Sequence, residues 1–213
     1  QDSSELDLGL KLADFHNNFH KFGPNLRMMK AGKQVRYESL DACLSSGATA
    51  VFSGLENGQI SSEIQDLVMR MEDEMVTMVH ANAYVTPQGT VGLSPHFDIH
   101  DFFVIQVQGS KVWDISAPIL NQAISKQHVS DADLARSREV YTWQITLSEG
   151  DVLYMPRGYI HAPHASESSL ESSVHVTFGL APLPWSIVLS SSVRESNMFQ
   201  RQVIPNVELY FSD

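Results

Sequence analysis

The sequence predicts a mainly β protein with flanking helices, folded as an antiparallel sandwich or barrel. Three observations carry that expectation. Six short runs rich in β-branched and aromatic residues crowd into residues 77–181, and turn residues rather than long helices separate most of them. The helical periodicity lies mainly in the stretch before them. Of the 213 residues, 43% are hydrophobic and 18% charged, enough apolar material for one core of ordinary size.

Taken in order, Leu8, Leu12, Phe15, Phe19 and Phe22 recur at three-to-four spacing, so residues 6–22 read as a helix stopped by Gly23 and Pro24. Residues 39–44 read as a short helix ending near Gly47, and residues 48–52 as a buried strand. Ile64, Leu67, Val68, Met71 and Met75 make one stripe of a helix over residues 61–75, with Ser62 and Gln65 spaced as a capping box. Residues 77–85 alternate and end at Pro87 and Gly89. A β-branched, aromatic strand over 102–107 is turned by Gly109 and Ser110 into a second over 111–115. Residues 116–140 interrupt the pattern as a polar, partly helical insert. Strands resume over 141–147, over 152–155 (short, apolar and buried) and over 173–180, and the serine-rich segment 162–172 reads as a polar loop. After Pro182 and Pro184, residues 185–193 read as an amphipathic helix. The expected division is one domain over 1–181, its barrel core at about 77–181, and a helical extension over 182–213 as a candidate homodimer contact.

Composition narrows the function classes. A formal charge of −11 and a pI near 5.1 argue against direct nucleic-acid binding, which needs a positive field, and suit a basic partner. No apolar run reaches the roughly 18 residues of a membrane helix. The one cysteine, Cys43, permits no internal disulfide and fits a reducing, cytoplasmic setting. No signal-peptide pattern is visible, and the sequence starts at Gln1 rather than Met.

The chemistry concentrates in histidines. In the triplet His96, Phe97, Asp98, residues i and i+2 of an extended chain point to one face, so His96 and Asp98 can share a metal. The best third ligand is His161, 63 residues after Asp98, just past the 152–155 strand and a tight turn at Pro156 and Gly158. Two histidines and a carboxylate on one face of an octahedron describe a non-haem Fe(II) oxygenase site with open positions. A zinc or structural site is the competing reading. His164, His175 and His100 compete with His161, and each reads more simply as a surface or supporting residue. His175 alternates with Thr177 on the last strand and faces a barrel interior. A 2-oxo acid at the metal would need a cation for its distal carboxylate. Lys111 is placed to reach inward, with Arg157 as rival. Asn82 and Tyr84 share a strand face that can line the same pocket.

Taken as a set, residues 82–89, 94–113 and 147–161 resemble the JmjC-type cupin oxygenases. The nearest subgroup is the ribosomal oxygenases, which hydroxylate arginine or histidine in ribosomal proteins. The resemblance covers about residues 22–181. It implies a double-stranded β-helix, or jelly roll, that uses Fe(II), 2-oxoglutarate as co-substrate and O₂. It carries the metal-ligand and catalytic roles to His96, Asp98 and His161, the co-substrate cation to Lys111, and the pocket asparagine to Asn82. Where the family often has a serine near the end of the last strand, this chain has Gly179, and Thr177 or His175 stands in. The function implied is hydroxylation of a C–H bond on a protein or peptide side chain, with demethylation as the same chemistry. A hydroxylase of a small metabolite or modified peptide is the alternative. It is favoured because only about 30 residues follow the barrel, where ribosomal oxygenases carry a dimerisation region and a winged-helix-like domain. A non-catalytic metal-binding cupin is a further reading, but it would not need Lys111 beside an open metal site.

Overall fold

A computed structural model gives the structure and describes residues 7–118, 142–166 and 171–181, with Ser130, Ala132, Ala135 and Arg136. The described strands pair antiparallel into two sheets. β1 (Leu26–Lys30), β2 (Lys33–Val35), β3 (Thr49–Ser53), β4 (Val79–Thr86), β5 (Asp101–Gln108), β8 (Val152–Met155) and β10 (Ser173–Leu180) form the larger one, in the order β2-β1-β3-β4-β10-β5-β8. β6 (Ser110–Ser116), β7 (Thr142–Ser148) and β9 (Ile160–Ala165) form the smaller one, in the order β7-β6-β9. The two sheets face each other as a double-stranded β-helix.

Period-two alternation sorts the residues of the central strands. On β4 and β10, Val79, Ala81, Ala83, Val85, Val174, Val176 and Phe178 point away from the smaller sheet into the main apolar core. That core is closed by α1 (Leu12–Asn18), α2 (Leu40–Ser45) and α3 (Ser62–Met75), which contribute Phe15, Leu40, Ile64 and Val68. Phe52 packs between Phe15 and Phe22 with ring centroids 4.8 and 4.9 Å away, each pair contributing about 1 kcal/mol beyond burial. The alternate residues, His80, Asn82, Tyr84, His175, Thr177 and Gly179, face the smaller sheet. There a second apolar cluster of Phe102, Val104, Trp113, Ile115, Leu147 and Met155 joins the two layers.

Several expectations are corrected. The first helix spans Leu12–Asn18 and gives way to a 3₁₀ turn at Phe19–Lys21, so the turn expected before Leu12 is absent; Gly9 there adopts φ 59°. The third helix is capped by Ser61, whose Oγ accepts from the Ile64 N–H, and not by a box on Ser62. The strand at 152–155 lies at a sheet edge and is buried on one face only: Val152 is 53% exposed and Tyr154 50%, while Met155 packs into the second cluster. Residues 160–165, expected as loop beyond His161, form strand β9. The hairpin β1–β2 was not anticipated. The chain divides after Ala181, and the helix expected at 185–193, the 182–213 extension with its dimer contact, and most of the insert lie outside the described residues.

Candidate active site

His96, Asp98 and His161 converge. Their ligand atoms all lie within 4.8 Å of one another. A reciprocal backbone pair ties the two histidines: His96 N–H donates to His161 O at 3.1 Å, and His161 N–H donates to His96 O at 2.8 Å. Each ring is oriented by its other nitrogen, His96 Nδ1 against Ser94 O at 2.8 Å and His161 Nδ1 against Tyr159 O at 3.1 Å. Those carbonyls favour Nδ1–H tautomers and leave both Nε2 lone pairs for a metal, the usual supporting arrangement of ligating histidines. His161 is 3% exposed; burial first, and then His96, pull its pKa down to about 4, so the imidazole is neutral at pH 7. Its Nε2 stands 3.8 Å from Asp98 Oδ2, too long for a hydrogen bond and short enough for one cation to bridge with arms of about 2.1 Å. The donor set therefore fits a non-haem Fe(II) ion with open positions.

The triad opens into a cavity of about 180 Å³ between the sheets. Lys111 lines it as well, on β6, 1% exposed. Its Nζ donates to Thr86 Oγ1 at 2.8 Å and lies 3.3 Å from His175 Nδ1. Thr86 Oγ1 in turn accepts from Thr49 Oγ1 at 3.1 Å. Burial pulls the Lys111 ammonium from 10.5 down to about 7, and burial first, then Lys111, holds His175 well below its ordinary value. His175 stacks on Tyr84, ring centroids 4.7 Å apart and planes within 1°. A buried cation without a carboxylate among its described neighbours is a receptor for an anion, and it shares one cavity with the open metal triad.

Residues 59–181 match the JmjC domain family. The chain belongs to the JmjC domain family. Bovine ribosomal oxygenase 2 is 33% identical over 119 residues, which are 56% of this chain and 25% of that protein. The bifunctional lysine-specific demethylase and histidyl-hydroxylase NO66 of Dictyostelium discoideum is 34% identical over 118 residues, 55% of this chain and 22% of that protein. Among solved structures, YcfD, a ribosomal oxygenase from Escherichia coli in complex with cobalt and 2-oxoglutarate, superposes with a TM-score of 0.57 at 20% identity; the match covers 96% of this chain and 51% of that one. That likeness is one of fold. The chain spans about a quarter of the length of these curated relatives and about half of the solved one.

Within this JmjC domain, all eight site residues expected from sequence line the same cavity: His96, Asp98, His161, Lys111, Asn82, Tyr84, Thr177 and His175. The rivals fall elsewhere. His164 faces Asp114, 3.7 Å from its carboxylate, and Arg157 does not line the cavity, its backbone N–H donating to Asp101 Oδ1. His100, expected to be a surface or supporting residue, is half-buried and lines the cavity. Sequence reasoning missed Thr86, Thr49, Arg27 and His80. His80 and Thr86 were within its reach, since they continue the i, i+2 face of Asn82 and Tyr84. Arg27 and Thr49 carry no such signal, because β1 and β3 reach the cavity only through tertiary pairing.

Proposed function

We propose that this chain is an Fe(II)- and 2-oxoglutarate-dependent oxygenase that hydroxylates a C–H bond on a protein side chain. The observation that carries the reading is the single cavity shared by an open His–Asp–His triad and a buried lysine. In this reading His96, Asp98 and His161 hold the metal. Lys111 and Thr86 take the distal carboxylate of 2-oxoglutarate, with Asn82, Tyr84, His175 and Thr177 walling the co-substrate. When bound, the metal and co-substrate supply the oxidation, in which 2-oxoglutarate becomes succinate and CO₂ and one oxygen atom of O₂ enters the C–H bond. The protein supplies position and protonation state. His161 arrives neutral, so no proton competes for its Nε2 at pH 7. The stack of Tyr84 on His175 fixes the ring beside Lys111. Trp113 and Phe102 flank His161 at centroid distances of 5.8 and 5.3 Å and restrict water around it.

The names of the relatives, ribosomal oxygenases and a histidyl-hydroxylase with lysine demethylase activity, support a polypeptide substrate, and removal of a methyl group would use the same oxidation. A net charge of −11 suits a basic target, and the buried unpaired Cys43 suits a cytoplasmic setting. No helix among the described residues is long and apolar enough to cross a membrane. A homodimer through residues 182–213 belongs to the same reading, and light scattering tests it. The activity is tested by succinate formation from 2-oxoglutarate and O₂ by the Fe(II)-loaded protein beside a His96→Ala control. Turnover absent from the variant is expected. Failure of 2-oxoglutarate to bind the metal-loaded protein overturns the reading.

A further inference from the structure

Beyond the metal, the interior face ends in a feature that metal and co-substrate leave unused. On β10 the inward row runs His175, Thr177, Gly179, and Gly179 pairs with His80 of β4 and Phe102 of β5. A Cβ at Gly179 would lie 2.8 Å from His100 Nε2 and closer still to His80 Cε1 and Nε2. The bare backbone is what lets the two imidazoles close over this strand, their centroids 4.8 Å apart and their planes at 67°. Both rings are half-buried and line the cavity. No nitrogen of either ring has a hydrogen-bond partner among the described residues.

Their place along the cavity gives them a role. From His175 to Gly179 is four residues of strand, about 13 Å. The co-substrate's anchor, Lys111, contacts His175 at one end. The metal triad lies toward the other: Phe102 is 5.3 Å from His161 and 6.2 Å from His100, and the Asp98 carboxylate acts on His80. A 2-oxoglutarate stretched from Lys111 to the metal fills the first end and leaves the second to the group that is oxidised. Of the two carboxylates acting on His80, Asp98 is engaged by the metal, and Glu56 is the charge left to disfavour an anionic ligand. A neutral imidazole carries one ring nitrogen with a free lone pair, so each ring can accept from a donor.

We propose that His80 and His100, seated over Gly179, form the substrate subsite and accept hydrogen bonds from an N–H-donating side chain of a polypeptide, holding it over the metal. This rests on the oxygenase reading above.

The test uses the Co(II)- and 2-oxoglutarate-loaded chain and follows paramagnetic broadening of the proton resonances of four probes, the N-acetyl amides of arginine, histidine, asparagine and aspartate. Saturable broadening of at least one N–H-donating probe, and none of the aspartate probe, is expected. His80→Ala and His100→Ala should each weaken that probe about fivefold, the loss of one hydrogen bond, while 2-oxoglutarate affinity stays within about twofold. His80→Gln, which keeps a side-chain acceptor, should recover part of the loss. Gly179→Ala should weaken the probe without removing either ring. A variant that no longer binds 2-oxoglutarate is judged by the others. Probe binding of wild-type strength in both alanine variants overturns the proposal, as does preference for the aspartate probe, or no probe binding while 2-oxoglutarate binds. Failure of 2-oxoglutarate to bind the wild-type chain defeats the oxygenase reading instead.

Discussion

Binding of 2-oxoglutarate should take up a proton, and Lys111 is the reason. Its ammonium is fully buried, held by Thr86 Oγ1 at 2.8 Å and His175 Nδ1 at 3.3 Å, with Tyr84 stacked behind the histidine. These are neutral partners. Burial alone therefore brings the lysine down to about 7, and at pH 8 about nine-tenths of the chains hold it neutral. A carboxylate entering beside Nζ reverses the balance, because an opposite charge in contact favours the ammonium form. Co-substrate binding should then take up about 0.9 proton at pH 8 and about 0.1 at pH 6, and affinity should fall about tenfold per pH unit above 7. Titration calorimetry of the metal-loaded protein at pH 8 in two buffers of different protonation enthalpy reads the uptake directly. Lys111→Arg carries a permanent charge, so any binding it retains should show no uptake. Uptake near zero in the wild-type protein would refute the argument.

The same lysine leaves a mark on stability. Its folded pKa, about 7, lies below the unfolded 10.5, so between those values the unfolded chain binds more protons and stability rises with pH. The full gap corresponds to about 5 kcal/mol. Urea unfolding at pH 6.5, 8 and 9.5 should show the rise in wild type and lose it in Lys111→Met.

Other consequences are simpler to measure. His161→Ala or Asp98→Ala removes one of three ligands and should abolish stoichiometric Co(II) binding, read by the Co(II) absorption bands, while the far-UV circular dichroism stays unchanged. The Cys43 thiol is buried and pushed up to about 11 by burial, so a thiol reagent at pH 8 should label the native protein only through opening and react within seconds once urea is added. Val76 ends α3 with φ 51°, a left-handed conformation that a β-branched residue adopts at a cost, and its side chain is 80% exposed. Val76→Gly should therefore stabilise the protein by about 0.5–1 kcal/mol, seen as a higher Tm.

What was legible in the sequence is what local alternation encodes. β4 and β10 read correctly because every second residue is apolar and packs on the helices, leaving His80, Asn82, Tyr84, His175 and Thr177 on the other face. β9 was unreadable for the opposite reason. Its inward and outward residues include two histidines and Pro163, and a proline normally argues against a strand. The structure shows why it is tolerated. His161 and Ala165 send their N–H groups outward, to His96 O and Thr90 O, so the missing N–H of Pro163 between them also falls on that outer edge and not in the ladder with β6. The exposure of Val152 and Tyr154 on β8 is a matter of order in the sheet, which no local pattern carries: the strand is apolar throughout yet sits at an edge, with only Leu153 and Met155 turned inward. Lys111 was a choice between a solvated hairpin lysine and an interior one. The next inward residue, Trp113, decides it, since a strand that buries Trp113 must bury Lys111 too.

The outer edge of β9 also bears on how the metal site is built. His96 and His161 are far apart in sequence, yet a reciprocal hydrogen-bonded pair holds their backbones, a geometry that sets the Cα atoms about 5.5 Å apart without any metal. The rings are then turned by backbone carbonyls of their own segments, and Gly158 N–H donates to Asp98 O at 2.9 Å, anchoring the third ligand's backbone to the turn before β9. None of these contacts uses the ion. The site should therefore persist when the metal is stripped, in contrast to small zinc domains that unfold without theirs. Chelation should lower Tm only by the mass-action contribution of the lost ligand. Hydrogen exchange of the stripped protein should show the His96 and His161 amides still protected, near the level of the β6–β9 ladder. Exchange of those two amides at the rate of exposed loops would mean that the metal, and not the strand pair, assembles the triad.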